Sequence, residues 1–333
     1  MCMTEFVRSV LLIGVARIGD TLLLTPAMRA IKTHFPGAEL TVLAHPKRKE
    51  LLEGLPFIDK LQTITKKSAY LKGWWCRCQY DLAFVYGKDA ELIRYALRVS
   101  KVVYVFKEEM GSLTPNKRLR VLSQPQNIHA VSERLALLTE AGINTENHQL
   151  AYQITPDEKA WANNWRKSRT NPLIALQIRS FPTKPYRDWP VSHTVRLIEL
   201  IIENYPTATF VITGDHFAKQ DASMLARVFG NRIVNIAGTL SLRQTAAILA
   251  TVSLYVGVDT GPTHLAGALG IKMVSLYHAA HAGRNLAPLQ HPCCKIIEHP
   301  ETYGSASKNA EMSCISPEQV WEAARELLLL NQY

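Results

Sequence analysis

A chain of 333 residues, 47 % hydrophobic and 20 % charged, has room for two medium-sized cores and lacks the composition of a disordered or fibrous protein. Its most apolar early run, Val10 to Ala16, falls short of the roughly 18 residues of a membrane span and lacks the features of a signal peptide, so a cytoplasmic location is expected. The net charge of +10 is uneven, with 21 Lys and Arg against 14 Asp and Glu in residues 1–150 and 17 against 14 in the remainder, which favours an anionic partner for the first half.

In chain order, Val7–Val15 reads as a buried strand and Asp20 to about His34 as a helix with apolar Leu23, Leu24, Ala27, Ile31 and Phe35. Strands are expected at Glu39–Ala44, Ile58–Ile64, Asp81–Tyr86 and Lys101–Phe106, with a helix from about Asp89 to Arg98. Residues 107–127 are polar, contain Pro115 and Pro125, and read as a loop before a helix at Ile128–Ala141. The Pro- and Asn-rich region 151–172 marks a domain boundary. The rhythm then restarts with strands at Leu173–Ile178, Thr209–Thr213, Ile233–Asn235, Ser253–Val258 and Lys272–Tyr277. Helices are expected at Ser192–Asn204, 217–229, Leu242–Ala250 and Pro262–Leu269. A last helix opens at Ser316-Pro317, with serine at the N-cap and proline at the favoured first position. Strands alternating with helices imply parallel sheets. The expected architecture is α/β: two doubly wound, Rossmann-like domains facing across a cleft, residues 1–155 and 170–315, followed by a C-terminal segment, 316–333.

Six cysteines, Cys2, Cys76, Cys78, Cys293, Cys294 and Cys314, lack the spacing of common zinc sites, also when His291 and His299 are counted, and read as free thiols.

Ligands of doubly wound sheets bind outside the carboxyl ends of the strands, so the turns there are searched for chemistry. The first, Gly14 to Thr21, matches neither a dinucleotide fingerprint nor a P-loop. It offers Asp20, with Arg17 and Gly19 nearby, either as a proton acceptor or as a helix cap. The second, Asp259-Thr260-Gly261-Pro262-Thr263-His264, runs from a buried strand into a helix start, whose amides and dipole attract phosphate. Thr260, Thr263 and His264 would add side-chain donors there. Lys184 and Arg187, before Trp189-Pro190, can stabilise a leaving diphosphate or face solvent. Asp215, after Gly214, is a weaker candidate for a ribose contact. The basic, aromatic stretch Lys66 to Trp75 suits an acidic acceptor or a membrane surface, or is ordinary surface with core tryptophans. No nucleic-acid motif accompanies the positive charge, so no nucleic-acid partner is expected.

Together Ile18-Gly19-Asp20 with Leu24-Thr25-Pro26-Ala27, Arg187-Asp188-Trp189-Pro190 and Asp259 to Ala266 resemble the lipopolysaccharide heptosyltransferases, glycosyltransferase family 9, over essentially the whole chain. The resemblance implies a GT-B fold, with an acceptor-binding N-terminal domain and a donor-binding C-terminal one. It implies a cytoplasmic enzyme, in peripheral contact at most with the inner membrane, that moves heptose from ADP-heptose to the anionic inner core of lipopolysaccharide. Asp20 would be the general base. Asp259, Thr260, Gly261 and His264 would bind the nucleotide diphosphate, with Pro262 and Thr263 in the same segment. The family's K-x-W-P lysine is replaced here by Arg187, so Arg187 or Lys184 would neutralise the phosphates, and Asp215 or His216 would meet the ribose. Neither a cofactor nor a metal is expected. Folds of this kind often return the last helix to the first domain, which is expected of Pro317–Leu330. The alternatives are a transferase of another nucleotide sugar, a nucleotide-sugar epimerase of similar fold, and a non-catalytic anion-binding protein.

Overall fold

Runs of Val, Leu and Ile that are apolar at consecutive positions become strands covered on both faces. The computed structural model describes residues 7–72, 78–111, 113–114, 116–304 and 307–330, and divides into two units, Met1–Gln153 and Ile154–Tyr333.

The first unit runs β1 (Ser9–Gly14), α1 (Ile18–Leu22), α2 (Thr25–His34), β2 (Glu39–Ala44), β3 (Lys60–Thr63), α3 (Lys66–Leu71), β4 (Tyr80–Tyr86), α4 (Ala90–Val99), β5 (Ser100–Phe106), β6 (Leu119–Leu122) and α5 (Ala130–Thr139). Its strands form one sheet in the order β3-β2-β1-β4-β5-β6, and every pairing is parallel. In β1, Leu11 and Ile13 join a core with Val85, Leu92 and Val103, while Val10 and Leu12 are equally buried on the other face. The helix expected from Asp20 to His34 is two helices. Pro26 has no amide to continue the ladder of α1, so the chain turns at Leu23–Leu24 and restarts as α2. The loop expected at 107–127 contains a short helical turn, Lys107–Glu109, and the edge strand β6, whose Arg120 and Val121 are exposed and give no buried alternation to read. Of the Lys66–Trp75 stretch, Lys66–Leu71 is α3, with Tyr70 and Leu71 exposed, and Trp74 and Trp75 lie outside the described residues.

The second unit runs α6 (Pro156–Arg166), β7 (Leu173–Gln177), α7 (Val191–Asn204), β8 (Thr209–Ile212), α8 (Lys219–Phe229), β9 (Ile233–Asn235), α9 (Leu242–Leu249), β10 (Leu254–Val258), α10 (Gly261–Ala268), β11 (Met273–Tyr277), α11 (Gly283–Leu286), β12 (Cys294–Glu298) and α12 (Pro317–Leu329). Its sheet, also wholly parallel, has the order β12-β11-β10-β7-β8-β9. Counted from the first strand of each unit, the two orders are the same.

This unit is larger than residues 170–315. The region read as a boundary holds α6, opened by a capping box between Thr155 and Glu158 and held to α9 by the Glu158–Arg243 ion pair, with Arg243 Nη2 2.6 Å from Oε2. The last helix, expected to return to the first domain, places Val320, Trp321, Ala324 and Leu327 in the core of the second unit with Ile198 and Ile201. Ser316 caps it as expected, accepting from the Gln319 amide at 3.2 Å. Trp189 anchors the preceding segment by donating from Nε1 to the Ile315 carbonyl at 3.0 Å.

In each unit the chain leaves the first strand to one side of the sheet and later returns to build the other side, beginning with the fourth strand beside the first. The crevice of a doubly wound sheet opens at this switch point. It lies between β1 and β4 in the first unit and between β7 and β10 in the second.

Candidate functional site

At the second switch point, β10 ends at Val258, Asp259 follows it, and α10 begins at Gly261. Gly257, in the strand, has no room for a side chain, since a Cβ would come within 2.4 Å of the Tyr255 hydroxyl. That hydroxyl pairs with Thr263 Oγ1 at 2.9 Å, and Thr263 Oγ1 donates to the Val258 carbonyl at 2.5 Å. Thr260 Oγ1 donates to the same carbonyl at 3.2 Å. The two hydroxyls read from the sequence as ligand donors are thus spent on their own strand end, because a terminating strand leaves a carbonyl to be satisfied. The amides at this turn remain. Pro262 has none, Thr263 and His264 donate theirs to the Thr260 carbonyl, and those of Thr260 and Gly261 have no partner among the described residues.

The carboxylate of Asp259 is buried beneath this helix start. Arg187 Nη2 donates to it and to the Asp259 carbonyl, and His264 Nε2 lies 3.5 Å from Oδ1. Burial by itself pushes the carboxyl up, but the His264 hydrogen bond and the Arg187 charge outweigh it and hold Asp259 at about 2. Arg187 is consequently turned inward, with most of its charge matched. Its Nε, like His264 Nδ1, is buried without a hydrogen-bond partner among the described residues. Lys184, half-buried on the same turn, is near enough for its charge to bear on His281. Tyr186 donates to or accepts from His281 Nε2 at 3.1 Å and packs edge-on against His278. Burial, aided by the Arg187 charge, lowers the His281 imidazole to about 4. His278 Nε2 bonds to the Ala310 carbonyl at 2.8 Å. A groove of about 480 Å³ lies beside Tyr186 and Asp188, with Lys308, Asn309 and Glu311 along its other side, and does not include Asp259 or His264. Asp188 is structural: it accepts from Arg179 Nη1 at 2.9 Å and from the Ser180 amide at 2.5 Å. The positive φ of Gly214 (136°) turns the chain after β8, and Asp215 is exposed and caps a short turn through the Phe217 amide at 2.9 Å.

At the first switch point, Asp20 does not cap its helix. The N-cap is Arg17, which makes no side-chain cap bond, and its carbonyl accepts from the Thr21 amide and hydroxyl at 2.9 and 2.8 Å. Asp20 stands in the first turn with its side chain 47 % exposed, and Oδ1 accepts from Arg134 Nη2 at 2.9 Å. Its Oδ2 has no hydrogen bond among the described residues. Gly19 and Arg17 flank it, half-buried and exposed respectively. Motif reading does not find Tyr86 and Arg134 beside Asp20 in the first unit, or His281 beside Tyr186 in the second, because the fold of each unit and not sequence spacing places them there.

Among the described residues, no group of three or more His, Cys, Asp or Glu is placed to hold a metal ion, and no helix is long and apolar enough to cross a membrane. The four described cysteines, Cys78, Cys293, Cys294 and Cys314, are free thiols.

The family model described as glycosyltransferase family 9 (heptosyltransferase) matches residues 76–314. No curated protein sequence matches the chain significantly. Among solved structures, the chain is similar to a glycosyl transferase family 9 protein from Veillonella parvula DSM 2008, at 19 % identity and a TM-score of 0.82 over 97 % of this chain and 98 % of that one. It is similar to the E. coli ADP-heptose lps heptosyltransferase II, at 20 % identity and a TM-score of 0.77 over 98 % and 100 % of the two chains. A third similar structure is the E. coli heptosyltransferase WaaC with ADP, at 17 % identity and a TM-score of 0.73 over 96 % and 99 %. At these identities the likeness establishes the GT-B fold.

Proposed function

The chain belongs to glycosyltransferase family 9, the heptosyltransferases, and from that premise we propose that it transfers heptose from ADP-heptose to the inner core of lipopolysaccharide by a single inverting displacement. In this reading the second unit binds the donor and the first activates the acceptor. The acceptor hydroxyl oxygen forms a bond to the anomeric carbon as the bond from that carbon to the diphosphate oxygen breaks. The hydroxyl proton goes to Asp20, and ADP departs with the bonding electron pair. Charge that grows on the departing diphosphate is met by the Thr260 and Gly261 amides and by Lys184. The Arg187–Asp259–His264 cluster holds that helix start in place. Protein cations and amides fill the part that a metal would otherwise play, so the reaction runs without metal or cofactor. The observation that supports this most is the position of two groups, each at the switch point of its own unit: the Asp20 carboxylate held by Arg134, and the Gly261-Pro262 helix start after β10. The structures similar to this chain include an ADP-heptose lps heptosyltransferase and a heptosyltransferase with ADP, which favours adenosine diphosphate and a lipopolysaccharide acceptor. The excess positive charge of the first half suits such an acceptor. The reading keeps the protein in the cytoplasm, with no more than peripheral contact to the inner membrane and no nucleic-acid partner.

The test combines transfer and binding. Asp20→Asn is expected to lower transfer by about 10²- to 10⁴-fold, the worth of a general base, with ADP affinity by calorimetry unchanged. Transfer at the wild-type rate removes Asp20 from the mechanism. In a thermal-shift panel of nucleotide sugars, ADP-heptose is expected to stabilise the protein most, by mass action. Greater stabilisation by another sugar nucleotide would reassign the donor.

A further inference from the structure

Asp20 shares its arginine's surroundings with a second carboxyl group. Glu109 ends the short turn that follows β5, and its Oε1 accepts from the Gly87 amide at 2.9 Å. The preceding residue, Tyr86, donates its hydroxyl to the Arg134 carbonyl at 2.8 Å. Arg134 in turn braces itself on the Ala130 carbonyl through Nη1 at 2.7 Å and holds Asp20 through Nη2. Arg134 on α5 is therefore tied to α1 through its guanidinium and to the end of β4 through its carbonyl, Glu109 is tied to the residue after β4, and the fields of both Arg134 and Glu109 reach Tyr86.

The other oxygen of Glu109, Oε2, is buried and has no hydrogen-bond partner among the described residues. An ionised oxygen so placed is costly, and a protonated one much less so. Burial accordingly raises the Glu109 carboxyl to about 7, opposed by the Gly87 amide, reinforced by Glu133 on α5, and opposed again by Arg134 and by Lys88 beside Gly87. Lys107 and Glu108 share its own turn, and burial keeps the Tyr86 phenol protonated.

We infer that Glu109 is a positioning residue for Asp20: when ionised it draws on the field of Arg134 and loosens the Arg134–Asp20 pair. The inference rests on the assignment of Asp20 as the base. Proton uptake by Asp20 removes the negative charge that Arg134 faces, so a stronger Arg134–Asp20 pair opposes it. With Glu109 neutral, Arg134 serves Asp20 alone and the proton is taken less readily. With Glu109 charged, Arg134 is shared and transfer quickens. The rate therefore rises with pH through the Glu109 titration.

The experiment is the pH profile of kcat/KM for heptosyl transfer, for the wild type and for Glu109→Gln, which keeps an acceptor for the Gly87 amide and cannot ionise. The wild type is expected to gain about threefold across a limb near neutrality, the strength of a partly exposed ion pair. Glu109→Gln is expected to lie flat at the lower level over that range, with ADP affinity unchanged. Glu109→Asp, which still titrates, is expected to keep a limb at a displaced pH. Partial unfolding of a variant would scale its whole profile without bending it, so the shape is diagnostic. A Glu109→Gln profile that superimposes on the wild type overturns the inference, even where Asp20→Asn is inactive. An active Asp20→Asn enzyme instead defeats the base assignment beneath it.

Discussion

Replacing Asp259 with Asn tests whether the buried Arg187–Asp259–His264 cluster is what holds the start of α10. The substitution keeps the shape of the side chain and removes its charge, leaving Arg187 buried without a counter-ion. The depression of the carboxyl from 3.8 to about 2 is worth about 2–3 kcal/mol at about 1.4 kcal/mol per unit. Loss of one partner of a buried pair ordinarily costs about 3–5 kcal/mol, so about 3 kcal/mol is expected. For a unit of this size that is a fall in melting temperature of about 6–12 °C, read by calorimetry on the transition of the second unit. The pH dependence gives an independent check. The folded value lies below the unfolded one, so the charge contributes fully above about pH 4 and its contribution fades as pH falls towards 2. The gap between wild type and Asp259→Asn should narrow over that window. A variant within about 0.5 kcal/mol of the wild type at neutral pH, the usual effect of a surface change, would refute the reasoning. A gap that stays constant down to pH 2 would refute the electrostatic origin.

Lys184→Ala is expected to weaken ADP binding about tenfold, the loss of one charge-assisted contact, with a smaller effect at high salt. Unchanged affinity in calorimetry would leave the phosphates to the amides alone. His281 is expected to remain neutral until pH falls to about 4, followed by the pH-dependent NMR shifts of its ring. Because that value lies below the ordinary 6.5, native stability should drop as pH falls between the two. A ring titrating near 6.5 would show that burial and Arg187 do not act on it as described.

Much of the fold is legible because its central strands are buried on both sides. β1, β2, β4, β5, β7, β10 and β11 are nearly unbroken apolar runs, and such runs have few other readings. The edge strands β6 and β12 escape, since they are half-exposed and interleave Arg120 and Lys295 with their apolar residues. α6 escapes because Ala162 is its sole buried residue, so no apolar stripe accompanies its capping box. At the site, Asp259 and the glycine-proline helix start are legible as a motif, whereas the directions of the side chains are not. The Thr260 and Thr263 hydroxyls point to Val258, and Arg187 points to Asp259, for reasons of local hydrogen-bond supply that spacing does not reveal. The partnership of Asp20 with Arg134 spans 114 positions and depends on β1 lying next to β4.

The identical strand order of the two sheets gives a rule for alignment. At 17–20 % identity, residue-by-residue matching between this chain and its structural relatives is fragile wherever a loop changes length. Ordinal position is not. In this chain the residue that follows the first strand of the first sheet, and the helix that follows the fourth strand of the second, are found by counting strands from the beginning of each half. Loops of different length can be grafted between strands without disturbing that count, which makes the two halves a coordinate system in which sites from divergent sequences can be superimposed.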